Sequence, residues 1–360
     1  MSATRAKVDL DDTEGLIAAD RDGLLRAAST AGAQVRATAA AVDEGALDAV
    51  RTGERPRSVI WVAGRGTAES AGAMLAATLG GSAAVPIVTA VEAPPWIGPL
   101  DVLIVAGDDP GDPTLVSASA TGVRRGARVV VAAPYEGPLR DATAGRVAAL
   151  SPRLWVPDEF ALCRYLAAGL ATLHAVDAAL QMDLAALADE LDAEALRNSA
   201  GRELFTNAAK ALAQRISGRS VVLAGDSAAT LALARHGSAT MVKIGHRVVA
   251  ATGLADALVA LHSVEGSGFG ASAGDVAALF HDDEIDGPLP DRLRVLALTL
   301  ASERPVVNAR VAGVGDVDIV GAEDVPDAMA APLDTGRPEQ QLAMLAVRME
   351  MAAVYLRLAG

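Results

Sequence analysis

Short unbroken apolar runs alternate with longer stretches of helical spacing along the first half of the chain. Between positions 20 and 50, "LLRAASTAGAQVRATAAAVDEGAL" places Leu24, Ala28, Ala31, Val35, Ala39 and Val42 on one stripe of a helix. "SVIWVAG" is different. It is continuously apolar from Val59 to Ala63, which marks a strand buried on both faces. "TAESAGAMLAATLG" returns to helical spacing and is closed by Gly80 and Gly81. "VPIVTA", "DVLIVAG" and "RGARVVVAAP" repeat the strand pattern. A helix begins at Pro113 after the third strand, and the long helix "PDEFALCRYLAAGLATLHAVDAAL" follows the fourth. Strands alternating with helices in this way predict an α/β protein with a parallel, doubly wound sheet.

The pattern then restarts. "GRELFTNAAKALAQRISG" predicts a helix, and "RSVVLAGDSAATLALARHG" is again strand, glycine turn, helix. "HRVVAATGLADALVAL" supplies a further segment. "DVAALF" and "RVLALTL" read as strands, "VVNARV" and "DVDIVG" as weaker ones, and "PEQQLAMLAVRMEMAAVYLRLAG" as a long closing helix. "VIWVAGRGTAESAGAML" and "VVLAGDSAATLALA" look like one unit used twice. The expected organisation is a helical segment over 1–50 packing on the core, one domain over 51–197 and a second over 198–360. The boundary follows the acidic "DLAALADELDAEALRNS", whose "DELDAEAL" reads as a solvated helix face. No low-complexity linker separates the halves, so they are expected to pack together.

The chain is 51% hydrophobic but only 3% aromatic, so its core is expected to be mostly Ala, Val and Leu. The net charge of −14 argues against nucleic acid or an anionic membrane surface as partner. No run of about 18 uncharged apolar residues predicts a membrane span, and "MSATRAKVDLDD" lacks the apolar region of a signal peptide. The single cysteine, Cys163, excludes an internal disulfide and fits a cytoplasmic setting. It lies in a helical apolar pattern and is expected to be a buried small hydrophobe.

Three strand-to-helix turns are the candidate ligand loops, because helix N-termini there offer N–H groups. In "AGRGTAES", Gly64 and Gly66 let the backbone approach a ligand, Arg65 lies between them, and Thr67 and Ser70 offer hydroxyls. Glu69 occupies the third glycine position of a G-x-G-x-x-G fingerprint, so no dinucleotide cofactor is expected. The second turn contributes Gly107, Asp108, Asp109 and Thr114; the third contributes Gly225, Asp226 and Ser227. Asp108, Asp109 and Asp112 have ligand types suited to Mg²⁺ or Ca²⁺. The favoured expectation is a solvated acidic turn that caps the following helix, with no metal. "FHDDEID" at 280–286 is read in the same way. The histidines show no zinc-ligand spacing.

Strand, G-x-G-[ST], helix, strand and then a second ligand loop resembles the layout of sugar isomerase (SIS) domains. The tandem copy resembles the double-SIS phosphoglucose/phosphomannose isomerase family. "RRGARVVVAAPYEGPL" is similar to that family's "RGA…V…GG…L" segment, "FTNAAKALAQRISGRSVVLAG" to its "NPAK…A…L.GR…V…YG" segment, and "AMLAVRMEMAAVYLRLAG" to its last dimer-forming helix. The resemblance implies two SIS domains, each a parallel flavodoxin-like sheet flanked by helices, a phosphorylated sugar as ligand class, and a homodimer. Leu342, Leu345, Met349, Val354 and Leu358 on the last helix are the expected interface residues.

The family's chemistry does not carry over residue by residue. Its phosphate loop, roughly S-x-S-G-N-T-E-E, corresponds to Gly107-Asp108-Asp109-Pro110-Gly111-Asp112-Pro113-Thr114. Carboxylates facing a dianion cost about 1 kcal/mol per close pair even in water, and Pro110 and Pro113 remove amide donors. Of the family's R-x₆-E-N-A-K stretch, Arg235 remains but Val242 falls at the glutamate. No histidine stands in register in "ATGLADALVAL", no lysine follows Lys243, and Phe160 is near the place of a family arginine. The expectation is therefore a phosphosugar-binding, catalytically degenerate regulatory protein. The alternatives are an active aldose–ketose isomerase with relocated residues, where His262 with Glu265 or Glu203 are the candidates, and a structural partner of a sugar-phosphate enzyme.

Overall fold

The structure, a computed structural model, describes residues 8–265, 292–324 and 337–360. Three helices come first: α1 (Thr13–Ala19), α2 (Leu24–Ala28) and α3 (Ala31–Asp43). The first α/β unit runs β1 (Ser58–Ala63), α4 (Thr67–Leu79), β2 (Ile87–Ala90), β3 (Asp101–Ala106), α5 (Pro113–Arg124), β4 (Arg128–Ala132), α6 (Gly137–Thr143) and β5 (Ala148–Ala149). Helices α7 (Leu162–Val176), α8 (Leu184–Arg197) and α9 (Ala208–Ile216) lead to the second unit. That unit runs β6 (Val221–Gly225), α10 (Ala228–Lys243), β7 (Ala250–Gly253), α11 (Leu254–Glu265), β8 (Arg294–Thr299), α12 (Arg304–Val311) and β9 (Val317–Gly321). Helix α13 (Pro338–Ala359) closes the chain described here.

Both sheets are parallel. The first has the order β2-β1-β3-β4-β5, the flavodoxin-like order, and the second β7-β6-β8-β9 repeats its first four places. Strand β3 is buried at every position, as its unbroken apolar run predicts. The register pairs Ala63 with Ala106, so the turns after β1 and β3 emerge side by side where the strand order reverses. That switch point is where open α/β sheets bind ligands. The two halves share a core: one cluster joins Trp61, Met74 and Leu166 to Leu223, Met241 and Met349. The expected close packing of the halves is thus observed, mediated by α4 against α10 and by α13 against α8, α9 and α10. Among the described residues no helix is long and apolar enough to cross a membrane.

Several expectations change. The helix expected over 20–50 is broken at Ser29 and Thr30, and α3 buries Ala31, Gln34, Val35, Thr38 and Ala41, leaving Ala39 and Val42 only partly covered. Packing against α7 and α8 rotates the buried face by a fraction of a turn. "VVNARV" is not a strand but most of α12, with Pro305 in its first turn; β9 takes the place beside β8. "DVAALF" lies outside the described residues. Cys163 is 2% exposed, and burial pushes its thiol well above the usual range, which makes it inert.

Helix α13 differs most from expectation. Leu342, Leu345, Met349, Val354 and Leu358 are all buried within a single chain. Their surplus apolar surface is covered by α8, α9 and α10, with α2 and α4 adding contacts. No free apolar stripe is left on this helix for a two-fold interface.

The "DELDAEAL" tract is solvated only in part. Asp189 is exposed and Asp192 half-buried, and both pair with Arg36. Glu194 is fully buried. Arg348 of α13 donates to it through Nε at 2.7 Å, Arg197 through Nη2 at 2.9 Å, and Asn198 through Nδ2 at 2.6 Å. Arg348 also donates to the carbonyls of Gly321 and Ala322, at 2.8 and 3.0 Å, tying α8, α13 and the end of β9 together. Burial alone would raise the Glu194 carboxyl, but the attraction and hydrogen bonds of Arg348 and Arg197 outweigh it and leave it below the usual carboxylate range.

Candidate functional site

A cleft of about 650 Å³ lies between the halves, a volume suited to one small molecule. From the first half come Arg65, Gly66 and Thr67 of the β1–α4 turn, Glu69, Ser70 and Ala73 of α4, Asp108 after β3, and Asp158 and Glu159 before α7. From the second half comes one face of α10: Ala232, Arg235, His236, Ala239, Thr240 and Lys243. Their spacing of three and four residues keeps them on one side of the helix. The lining thus combines three cations with four carboxylates and a hydroxyl on Ser70.

The β1–α4 turn is built around Gly66, whose φ of 69° and ψ of −133° are open to glycine and strained for other residues. A Cβ there would lie 3.1 Å from Asp158 Oδ2 and 3.4 Å from Lys243 Nζ. The two halves therefore meet over this glycine. The Thr67 hydroxyl, expected to face a ligand, donates instead to the Asp158 carbonyl at 2.9 Å and to Asp158 Oδ1 at 3.1 Å. Tyr165 donates to the same carboxylate at 3.3 Å. Burial raises the Asp158 carboxyl and the nearby Asp108 adds to this, against the opposing pull of Thr67, Lys243 and Tyr165. Ser70 bonds back to the Gly66 carbonyl at 3.3 Å but also lines the cleft.

The other expected site residues do not line this cleft. A Cβ on Gly64 would lie 2.7 Å from Asp112 Oδ2, and one on Gly107 2.6 Å from Leu115 Cδ1, so both glycines allow the two turns and α5 to pack closely. Asp112 caps α5, accepting from the Thr114 amide at 2.7 Å, and Asp109 accepts from the Gly111 amide at 2.7 Å. Capping thus accounts for much of the acidic turn, and only Asp108 reaches the cleft. In the second unit, Ser227 forms a capping box with Thr230, and Asp226 pairs with Arg310. A Cβ on Gly225 would lie 2.2 Å from the Leu231 amide nitrogen, so this turn serves strand-to-helix packing. Residues 280–286 lie outside the described residues.

The two relocated-isomerase candidates whose side chains are described do not converge on the cleft either. His262 bonds to the Leu258 carbonyl of its own helix at 2.7 Å, and Glu203 is exposed; neither lines the cleft. The Glu265 side chain lies outside the described residues. Val242 is half exposed and off the cleft face, and Phe160 is buried in the core. Sequence reasoning missed Asp158, Glu159, Arg235, His236 and Lys243 as a group. Helical spacing on α10 signals a shared face, but not that this face meets the β1–α4 turn.

No family model and no curated protein matches the sequence. Solved structures do. The tagatose-6-phosphate ketose/aldose isomerase of Escherichia coli is 14% identical with a TM-score of 0.63, over 93% of this chain and 91% of that one. A glucose-6-phosphate isomerase-like protein of Thermus thermophilus is 19% identical with a TM-score of 0.54, over 98% and 95%. The C-terminal domain of a glucosamine-fructose-6-phosphate aminotransferase of Francisella tularensis is 11% identical with a TM-score of 0.59, over 94% and 98%. The chain has the double-SIS fold of phosphosugar isomerases. At these identities the likeness is one of fold, and it covers nearly the whole length of each partner. The expected architecture of two SIS domains is thereby met, down to the flavodoxin-like strand order.

Proposed function

We propose that this protein binds an anionic carbohydrate derivative of the phosphosugar class in the cleft between its halves, in a regulatory role and without the family's isomerase chemistry. One observation carries the reading. Arg65, Arg235 and Lys243 converge on the cleft, and none of them has an ion-pair partner among the described residues. Unpaired cations facing a cleft suit an anion. The carboxylates Glu69, Asp108 and Glu159 supply acceptors for sugar hydroxyls.

Fructose 6-phosphate is the probe. It is expected to raise the melting temperature of the wild type, and Lys243→Ala is expected to weaken its binding about 10- to 100-fold, the worth of one charge-assisted hydrogen bond. Titration calorimetry reads the change. Equal affinity in mutant and wild type would place the anion elsewhere. Gly66→Val is a poor probe, because its backbone conformation strains any side chain. A homodimer stays within this reading, with its two-fold face moved off residues 338–359. A monomeric mass by light scattering at micromolar concentration would rule it out.

A further inference from the structure

The floor of the cleft holds a pair of ionisable side chains that plain anion binding does not use. His236 lies on the cleft face of α10 and is 2% exposed; Glu350 lies behind it on α13 and is also 2% exposed. His236 Nε2 stands 3.5 Å from Glu350 Oε1 and 3.4 Å from Thr240 Oγ1. Glu350 Oε1 has no hydrogen-bond partner. A charge-assisted bond between an imidazolium and a carboxylate is shorter, at about 2.7–2.9 Å. An ionised carboxylate with an unpartnered oxygen in the core is also costly. Both points favour a neutral carboxylic acid at Glu350. Burial pushes the Glu350 carboxyl up for the same reason, with His236 opposing it less strongly.

We propose that His236, backed by Glu350, is a proton-accepting contact on the cleft floor: an anion that binds in the cleft carries one proton in with it. The inference rests on the reading of the cleft as an anion site. A neutral Glu350 supplies no fixed negative charge to the imidazole, so an anion arriving in the cleft can. At rest, Arg235 and Lys243 on the same face of α10 oppose that charge. Across the cleft, Arg65 opposes it as well, while Glu69 of α4 favours it. Asp108, Asp158 and Glu159 also line the cleft, and the neutral Cys163 of α7 lies near Glu350. A bound anion tips this balance and excludes water, which strengthens its attraction for the imidazolium. At 2% exposure the ring is too recessed to reach a substrate carbon, so its part is electrostatic and positioning.

The experiment is titration calorimetry of fructose 6-phosphate between about pH 6 and about pH 8.5, at each pH in two buffers of different ionisation enthalpy, which reads protons taken up on binding. The sugar phosphate itself titrates near pH 6, so the quantity compared is wild type minus variant. The wild type is expected to take up as much as one proton more than His236→Gln, and its Kd to rise by as much as about tenfold per pH unit relative to the variant. Glu350→Gln, which mimics the neutral acid, is expected to keep the uptake, as is Asp158→Asn. Circular dichroism melts verify that each variant is folded. Equal uptake in wild type and His236→Gln overturns the inference and leaves the cleft reading intact, as does loss of uptake in Glu350→Gln or Asp158→Asn with retention in His236→Gln. Absence of binding in the wild type at every pH overturns both.

Discussion

Glu194→Ala is expected to destabilise the protein by about 3–5 kcal/mol at neutral pH, the cost of leaving a buried charge without its partner. The stranded charge is Arg348, which is 2% exposed and whose guanidinium cannot shed its proton. Its bonds to the Gly321 and Ala322 carbonyls remain, but neither supplies a negative charge. Urea unfolding followed by circular dichroism checks the size of the effect. Glu194→Gln, which keeps the shape and loses the charge, is expected to cost nearly as much. Asp189→Ala, at the exposed pair with Arg36, is the contrast: it is expected to cost well under about 1 kcal/mol. If the two substitutions cost the same, Glu194 is not the staple that the geometry implies. The pH dependence has a definite sign. The folded carboxyl titrates below its unfolded value, so its contribution is fully present above the ordinary carboxylate range. It is lost as pH falls through and below that range, and Glu194→Gln should flatten this part of the acid limb.

The second large effect is on catalysis. Purified protein at high concentration is expected to show no measurable interconversion of glucose 6-phosphate or mannose 6-phosphate with fructose 6-phosphate. A positioned acid or base contributes about 10²–10⁴-fold, and electrostatic stabilisation a comparable factor. In this chain Val242 stands where the family glutamate is expected, and it points off the cleft. His262 is held by its own helix, Phe160 is buried, and the recessed His236 touches the cleft only at its floor. The acidic turn adds Asp108 to the cleft wall, a charge that opposes a bound phosphate. A coupled assay is direct. Turnover near the ~10 s⁻¹ typical of enzymes would overturn the degenerate reading, and His236→Gln would then be the first variant to assay.

The sequence by itself determined the framework. A continuous apolar run such as Val102 to Ala106 belongs to a strand covered on both faces, and only helices joining parallel strands can provide that cover. Two such units with glycine turns define two doubly wound sheets, and the same local logic makes Cys163 a core residue. Tertiary structure decided everything that depends on a partner distant in sequence. Glu194 looks solvated among acidic neighbours, and it is Arg348, 154 positions away, that joins Arg197 to make a buried ion-pair cluster of it. The apolar excess of 338–359 suggests a second subunit until α8, α9 and α10 are seen to cover it. Thr67 looks available to a ligand until Asp158, 91 positions on, takes its hydroxyl. The 3.6-residue period gives α10 a face containing Arg235, His236 and Lys243, but not the wall that this face meets. Periodicity reports whether a face is covered; what covers it, and hence which charges and protons the covered groups can hold, is set by the packing of one half of the chain against the other.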